Sequence, residues 1–189
     1  MEVKILQESG YEEALMGMSL SFYDNSLPIE QWWTQEKFEK AQKRANKLAH
    51  MQGGHNKLIE QIMVWVYVKA PLSWWKHADT YRISSKQSSS TMHTIKKRHP
   101  LTKSDFSEST HQAMINCFNT IVHNEKDISV HADNLPDGFL QERIWLLSYK
   151  TLQNVIFQRD GHRLGHWAYF IKLLMEQIEH PELLVQEKK

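Results

Sequence analysis

A chain of 189 residues has the length of one ordinary domain, so a single domain spanning residues 1–189 is expected. Its 23 Lys and Arg residues nearly balance 22 Asp and Glu residues, which argues against nucleic-acid binding through bulk positive charge. Hydrophobic residues make up 41% of the chain, enough to build a core. The single cysteine, Cys117, excludes an internal disulfide and a four-cysteine zinc site.

The first third of the chain predicts one strand and two helices. Val3 to Leu6 is expected to form a short strand, and Tyr11 to Met18 a short helix. Trp32-Trp33 is expected to lie in a loop. Thr34 is a suitable N-cap for the next helix, in which apolar residues recur at helical spacing, and Gly53-Gly54 would end that helix.

The middle of the chain predicts a buried strand and two further helices. Ile62 to Lys69 is rich in β-branched and aromatic residues, which is typical of a strand, and Pro71 closes it. Leu72 to Asp79 is expected to be helical, and the serine-rich segment that follows it to be a loop. A helix is predicted from about Glu108 to His123, because its apolar residues share one side.

The last third predicts a turn followed by two helices. Leu135 to Gly138 carries turn residues, and Phe139 to Arg159 is predicted to form one long helix that Asp160-Gly161 stops. Gly165 to His180 is the last predicted helix, since Pro181 bars its continuation. Few strands, several helices and no regular alternation of the two favour an α+β fold over a doubly wound sheet.

Several function classes lack their signatures. No apolar run approaches the length of a membrane span or the core of a signal peptide, so a cytoplasmic protein without a membrane partner is expected. A glycine-rich phosphate loop and a G-x-S-x-G elbow are both absent. His162 and His166 are four residues apart, but a glycine-flanked break separates them, so no metal site is expected.

Three separated segments carry the functional information. The first is Gly54-His55 followed by Glu60 and the strand, the second runs from Tyr81 to Ser90, and the third is Leu152 to Arg159 with Trp167 shortly after. In this order and spacing they resemble the flavin-dependent thymidylate synthases, which have a Gly-His and a Glu before a strand, then an Arg-His-Arg and serine signature, and later a Leu-x-Asn-x-x-x-x-Arg helix. The resemblance covers most of the chain.

The resemblance implies a small, mainly antiparallel sheet flanked by helices, assembled into a homotetramer. It also implies transfer of a methylene group from methylenetetrahydrofolate to C5 of dUMP, a pyrimidine deoxynucleotide. FAD would be the cofactor, and NADPH the source of electrons. An enzymic thiol is not needed on this route, which agrees with a Cys117 that lies outside every matched segment.

The donors in these segments suit such ligands. Arginine offers a two-pronged donor to phosphate and serine a short hydroxyl donor, while a flavin needs amide or imidazole groups near its ring. By resemblance, Arg159 and Ser90 would bind the nucleotide, and His55 would lie near the flavin ring or the folate, with His55 and Arg159 the catalytic candidates. The expected cofactor-binding residues are Arg82, Ser85, Gln87 and Asn154.

The chain departs from the family at five places. Thr80-Tyr81-Arg82 stands where the family has Arg-His-Arg, Ser88 replaces an acidic residue, and Met92-His93 replaces Arg-Tyr. Ala132 replaces a phosphate-binding arginine, and Ser148 an asparagine. Two alternatives therefore stand beside the leading hypothesis: a relative that acts on a different or modified pyrimidine nucleotide, and a catalytically silent homologue that binds a nucleotide or a protein.

Taken singly, the same residues also have purely structural interpretations. His55 suits a turn, Asn154 a helix surface, and Arg159 the negative end of a helix dipole. The serines between Ser85 and Ser90 suit a loop. A lysine- and arginine-rich stretch at 96–98 is typical of a solvated surface, although it could also serve a differently shaped ligand.

Overall fold

The computed structural model describes residues 1–51 and 54–185, in which the chain forms two compact units. Unit 1 comprises Met1–Lys4 and Tyr67–Trp145, and unit 2 comprises Ile5–Val66 and Leu146–Lys189. Three of the four strands have residues in both units. The expectation of a single domain stays a prediction.

A four-stranded antiparallel sheet with helices confirms the α+β prediction. The strands are β1 (Glu2–Ser9), β2 (Met63–Pro71), β3 (Ser84–Ser88) and β4 (Leu140–Ser148). They are ordered β1-β2-β4-β3, so β3 is an edge strand. Alternate residues of β2 are buried from Val64 to Val68, as the β-branched pattern predicts, whereas Trp65 is half-buried.

Ten α-helices lie within the described residues. They are α1 (Tyr11–Ser19), α2 (Ile29–Trp32), α3 (Gln35–Leu48), α4 (Leu58–Gln61), α5 (Leu72–Ala78), α6 (Thr91–Arg98), α7 (Gln112–Asn124), α8 (Ile128–Asn134), α9 (Tyr149–Arg159) and α10 (His166–Met175). The predicted cap is confirmed, because the Thr34 side chain accepts a hydrogen bond from the backbone N–H of Lys37. Among the helices of residues 1–51 and 54–185, none has the length and apolar character needed to cross a membrane.

The predicted long helix from Phe139 to Arg159 is wrong. Its first half is the strand β4, which pairs with β2 on one side and β3 on the other. Leu, Gln, Glu and Arg favour a helix locally, but pairing on both edges outweighs that preference. The helix α9 begins only after Ser148, whose side chain caps it by accepting from the N–H of Thr151.

Smaller corrections concern segment ends. The serine-rich segment is not a loop, because Ser84–Ser88 pairs as β3. Trp32 belongs to the short helix α2 and only Trp33 lies outside it. The last helix ends at Met175, five residues before His180. The predicted helix end at Gly53-Gly54 lies partly outside the described residues, and α3 itself ends at Leu48.

Aromatic side chains form much of the core of unit 1. Trp74, Trp75 and Trp145 are fully buried, and their rings meet edge to face at centroid separations of 4.8 to 6.3 Å. A second group packs around the helices that follow β3: Ile95, Leu101, Phe106, Ile115, Phe118 and Phe139. Together these groups fix β4, α5 and α6 within the unit.

The core of unit 2 contains a buried tyrosine that is paired with a carboxylate. The Tyr149 hydroxyl donates to Oε2 of Glu8, whose Oε1 accepts from the N–H of Glu179. Burial, with the hydrogen bond to Glu8, raises the pKa of Tyr149 far above that of an ordinary tyrosine. Burial also raises the pKa of Glu8. This pair connects β1 to the first residue of α9.

Candidate functional site

The predicted site residues of unit 1 lie on the edge strand β3 and at its two ends. Arg82 lies in the tight segment that leads into β3. There the carbonyl oxygen of Tyr81 accepts from Ser84 Oγ at 2.7 Å and from Lys86 Nζ at 3.3 Å. The Tyr81 ring is buried, and its centroid lies 6.3 Å from that of the Trp145 ring. The side chain of Arg82, in contrast, is exposed. The buried Tyr81 therefore anchors the segment that presents Arg82 to solvent.

Alternation along β3 separates its two faces. Ser84 and Lys86 lie on one face and are half-buried, whereas Ser85 and Gln87 lie on the other and are exposed. Within residues 1–51 and 54–185, no other side chain or backbone group pairs with the side chains of Ser85, Gln87 or Arg82. Their donors face solvent, so they are available to an external ligand.

Lys86 is held on the inner face among groups that sequence reasoning did not connect. Its ammonium lies 3.1 Å from Ser84 Oγ, 3.9 Å from Asp79 and 4.8 Å from the centroid of the Trp145 ring. Burial lowers the pKa of Lys86, repulsion by Arg143 adds to that, and attraction by Asp79 opposes it. Only 12% of the Lys86 side chain is exposed, so this residue belongs to the covered inner face of β3 and is not presented to solvent.

A polar network under β3 positions the start of α6. Arg143 donates from Nη1 to both oxygens of Asp79, at 2.9 and 3.1 Å, and from Nε to the side-chain oxygen of Gln141 at 2.9 Å. The amide of Gln141 in turn donates to Ser89 O at 3.2 Å and to Thr91 Oγ1 at 2.8 Å. The two residues that flank Ser90 are thus fixed by β4.

Ser90 has a structural role in addition to its predicted one. Its hydroxyl oxygen accepts from the backbone N–H of His93 and so caps α6, which begins at Thr91. Because a hydroxyl has one donor and two acceptor positions, capping leaves the O–H free to donate. Ser90 is exposed, so this donor is open to a ligand.

The predicted residues of unit 2 include two on α9 that point in different directions. Asn154 is exposed in mid-helix, and Arg159 is the last residue of the helix. Five residues correspond to about 140° around a helix, so their side chains do not share a face. The Arg159 guanidinium lies 4.7 Å from the centroid of the buried Trp167 ring, which fixes its position by a cation–π contact.

His55 lies in a turn directly before α4 and is exposed. The next residue, Asn56, is 4% exposed, and its amide nitrogen has no hydrogen-bond partner in the part of the chain that the structure describes. A buried amide without a hydrogen-bond partner lowers the folding stability by about 1–3 kcal/mol. The structure therefore keeps a donor next to His55 although this donor is destabilising. Asn56 was not among the predicted residues, although its place beside the Gly-His pair indicates it.

The histidines considered for metal binding do not gather ligands. The Nδ1 atom of His162 accepts from the N–H of Leu164 at 3.1 Å, and burial lowers the pKa of His166. Within the described ranges, no group of three or more His, Cys, Asp or Glu side chains forms a metal site. Ser148, where the family has asparagine, serves instead as the cap of α9.

Sequence reasoning missed the residues that position the site of unit 1. These residues are Asp79, Gln141 and Arg143, and Asp79 precedes Gln141 by 62 positions in the chain. The predicted helix over Phe139–Arg159 also concealed the alternation of β4. The carbonyl oxygen of Gln141 also accepts from Trp75 Nε1 at 3.0 Å, and the Arg143 guanidinium lies 4.4 Å from the Trp75 ring. These contacts depend on the pairing of β4 and could not be seen as a motif.

Comparison with solved structures places the whole chain in one fold. Two structures of the flavin-dependent thymidylate synthase ThyX from Helicobacter pylori, both with FAD and dUMP, are 14% identical to this chain. One has a TM-score of 0.78 and covers 97% of both chains, and the other has a TM-score of 0.79 and covers 100% of both. Neither the family models nor the curated proteins give a match. The chain therefore has the fold of the flavin-dependent thymidylate synthases.

Proposed function

We propose that this protein transfers a one-carbon unit from methylenetetrahydrofolate to C5 of a pyrimidine deoxynucleotide, with dUMP as the default substrate and FAD as cofactor. The observation that carries the proposal is the full-length likeness to two ThyX structures that contain FAD and dUMP. Exposed donors in the segments that resemble the family add to it. NADPH is the proposed source of electrons, and the cytoplasm the proposed compartment.

The residues present fit a flavin dinucleotide at β3. Arg82 brings a positive charge for a pyrophosphate, and Ser85 and Gln87 present a hydroxyl and an amide on the exposed face of an edge strand. From the family resemblance, Asn154, exposed on α9 of unit 2, is proposed as a further amide donor to the flavin. When bound, FAD would supply the hydride, while these side chains bind and orient it.

The proposed nucleotide contacts use one hydroxyl and one guanidinium. Ser90 can donate its O–H while its oxygen caps α6, and Arg159 presents a charged donor that the ring of Trp167 fixes. Arg159 is also a catalytic candidate, since a cation at the pyrimidine stabilises negative charge that develops on the base. His55 would lie near the flavin ring or the folate and hold or move a proton there.

The departures from the family define the second candidates. Thr80, Tyr81 and Ser88 supply no charge where the family has two cationic residues and a carboxylate, and each lost charged hydrogen bond costs about 1.5–3 kcal/mol. The burial of Tyr81 against Trp145 gives that position a packing role instead. These observations favour a relative that acts on a different or modified pyrimidine nucleotide, or a silent homologue that only binds.

The decisive experiment for the cofactor is spectroscopic. We expect the purified protein to be yellow, or to take up FAD with a rise in melting temperature. Arg82→Ala should weaken FAD binding roughly tenfold, because it removes a charged donor. Arg98→Ala is the matched control, since Arg98 lies outside the proposed flavin contacts and its half-exposed side chain pairs with Asp105 at 3.5 Å. A colourless protein that FAD does not stabilise would refute the flavoenzyme proposal.

The substrate is tested by release of tritium from C5-labelled dUMP in the presence of FAD, NADPH and methylenetetrahydrofolate. Release supports the leading proposal. Release only from a cytosine nucleotide supports the relative with a different substrate, and FAD binding without any release supports the silent homologue. Arg159→Ala should weaken nucleotide binding about tenfold or more, and unchanged affinity would remove Arg159 from the site.

A homotetramer is proposed as the assembly. Ile83 in unit 1 and Phe157 in unit 2 are each 85% exposed, which is unusual for large apolar side chains beside polar candidate residues. Phe157→Ser should lower the molar mass measured by light scattering if this side chain lies in an interface. Phe22→Ser is the control and should leave the molar mass unchanged. The Phe22 side chain is 64% exposed, and the Arg44 guanidinium lies 4.4 Å from its ring centroid.

A further inference from the structure

Unit 2 contains a small cleft that includes none of the residues assigned to the flavin, the nucleotide or the folate. We call it the aromatic cleft, and it lies between the start of α1 and the start of α3. Its volume is about 240 Å³, below the range of about 300–1,000 Å³ typical of sites for larger organic ligands. The lining residues are Glu12, Trp33, Thr34, Gln35 and Phe38.

Two aromatic rings form a corner of the aromatic cleft. The planes of the Trp33 and Phe38 rings stand at 83° to each other, and their centroids are 6.4 Å apart. Both side chains are half-buried and held by a further ring, Trp32 at 6.1 Å from Trp33 and Tyr11 at 6.2 Å from Phe38. The corner is thus fixed by packing, and because aromatic rings attract cations it suits a positively charged ligand.

A carboxylate is held beside this corner. Trp33 Nε1 donates to Oε1 of Glu12 at 3.0 Å, which keeps the carboxylate next to the indole ring. Within residues 1–51 and 54–185, the second oxygen, Oε2, takes part in neither a hydrogen bond nor an ion pair. Glu12 is exposed, so this oxygen is open to a cation.

The basic side chains nearest along the chain are engaged elsewhere. Lys37 donates to the carbonyl oxygen of Trp32 at 2.7 Å, and its ammonium lies 4.3 Å from the centroid of that ring. Lys40 pairs with Glu36 at 2.6 Å. Among the described residues, no lysine, arginine or histidine lines the aromatic cleft, so Glu12 has no competing internal cation.

The starts of α1 and α3 work against a bound cation, because each helix N-terminus carries about half a positive charge. Two further carboxylates offset that charge. Glu13 lies in the first turn of α1, and Oε1 of Glu39 accepts from Gln35 Nε2 at 3.2 Å. The negative charge of Glu12 is therefore left in excess at the aromatic cleft.

Helix α1 turns different sides to the aromatic cleft and to α4, the helix that follows His55. A Cβ at Gly17 would lie 3.4 Å from Oε1 of Gln61, the last residue of α4, so Gly17 marks the side that faces α4. Glu12 precedes Gly17 by five residues, which corresponds to about 140° around the helix. The aromatic cleft is thus on a different side of α1 from the turn that contains His55.

We propose that the aromatic cleft binds an alkylated ammonium ion, such as the trimethylammonium group of an organic cation. Its methyl groups lie against the rings of Trp33 and Phe38, and its positive charge lies beside Glu12. Methyl groups weaken the hydration of a cation, so it leaves water for an aromatic surface more readily than a bare ammonium ion. The proposal does not rest on the flavin-dependent reaction.

The test is a titration of the full chain, without flavin or nucleotide, followed by the NMR signal of the Trp33 indole N–H. That signal is identified by its absence from Trp33→Phe. The probes are choline, its uncharged carbon analogue dimethylbutanol, and the ammonium ion. We expect choline to bind at least about tenfold more tightly than either of the others. Equal affinity for choline and one of the other probes, or no binding of choline, would overturn the proposal.

A fourth probe distinguishes two sources of the same head group. Trimethyl-lysine, blocked at its amino and carboxyl groups, represents the side chain of a methylated protein, whereas choline represents a free small molecule. Both carry the trimethylammonium group, so both should bind more tightly than dimethylbutanol. The tighter of the two identifies the source.

Charge-matched variants locate the site. Glu12→Gln keeps an oxygen that can accept from Trp33 and removes the charge, so choline should bind about tenfold more weakly and dimethylbutanol should be unaffected. Glu13→Gln removes the same charge from an exposed neighbour that does not line the aromatic cleft, and should leave the affinity unchanged. Both positions are exposed, so both variants should fold, as circular dichroism would verify. Equal losses in the two variants would reduce the effect to overall charge and refute the site.

Discussion

Gln141→Met tests whether the polar network under β3 positions the candidate site. Gln141 is 7% exposed, and its side chain makes three hydrogen bonds: two donated to Ser89 and Thr91, and one accepted from Arg143. Methionine has a similar length and fills the same space, so packing is largely kept while every polar contact is removed. The change therefore isolates the network.

The expected loss follows from these three contacts. A hydrogen bond between neutral groups contributes about 1 kcal/mol, and one from a guanidinium about 1.5–3 kcal/mol, so the sum is roughly 3–5 kcal/mol. For a chain of this length each kcal/mol lowers the melting temperature by about 2–4 °C. We expect a decrease of roughly 6–20 °C, measured by circular dichroism. Gln112→Met, at an exposed position of α7, should change it by less than about 2 °C.

A local measurement separates loss of the network from general weakening. The N–H of Thr94 donates to the carbonyl oxygen of Ser90 at 3.0 Å in the first turn of α6. Its hydrogen exchange should accelerate strongly in Gln141→Met, because the loop that starts α6 is no longer held. If neither the melting temperature nor this exchange differs from the Gln112→Met control, then β4 does not position Ser90 and the reasoning fails.

Other predictions concern the buried tyrosine and a crowded glycine. Because the pKa of Tyr149 is raised by burial and by its bond to Glu8, the unfolded chain loses this phenolic proton above about pH 10 while the folded chain keeps it. Stability should therefore fall as pH rises above 10, by up to about 1.4 kcal/mol per pH unit from this group. Tyr149→Phe should flatten that alkaline slope in denaturant titrations, and an identical slope in both proteins would contradict the assignment. At Gly138 an added Cβ would overlap the buried Thr110 hydroxyl, so Gly138→Ala should lower the unfolding free energy by about 1–3 kcal/mol. Gly165→Ala meets no atom within 4 Å, and an equal loss in both alanine variants would refute the packing argument.

The site could be predicted only in part. His55, Arg82, Ser90 and Arg159 are recognised from residue types in a fixed order, and their types indicate what chemistry they offer. Their surroundings could not be predicted: the ring of Trp167 beneath Arg159 and the capping role of Ser90 are known only from the structure. Whether these residues bind the proposed ligands remains a prediction.

The local sequence pattern correctly predicted those features whose physical cause lies within a few residues of the chain. Thr34 caps α3 because its hydroxyl reaches an amide three residues away, and Asp160-Gly161 ends α9 because glycine adopts the positive φ of 64° found there. The alternating β-branched residues of β2 likewise determined which of its sides is buried. Such contacts are short in sequence, so composition and spacing are enough to predict them.

Tertiary structure decided β3 and β4. A segment rich in serine and a segment of good helix formers became strands because each gains a partner that is distant in sequence, and pairing energy outweighs local preference. The same pairing brings Asp79 to Arg143 and Gln141 to Thr91. The sequence by itself thus determined the family resemblance, the main helices and the chemistry on offer. Only the fold decided which charges are buried, which are neutralised, and which remain open to a ligand.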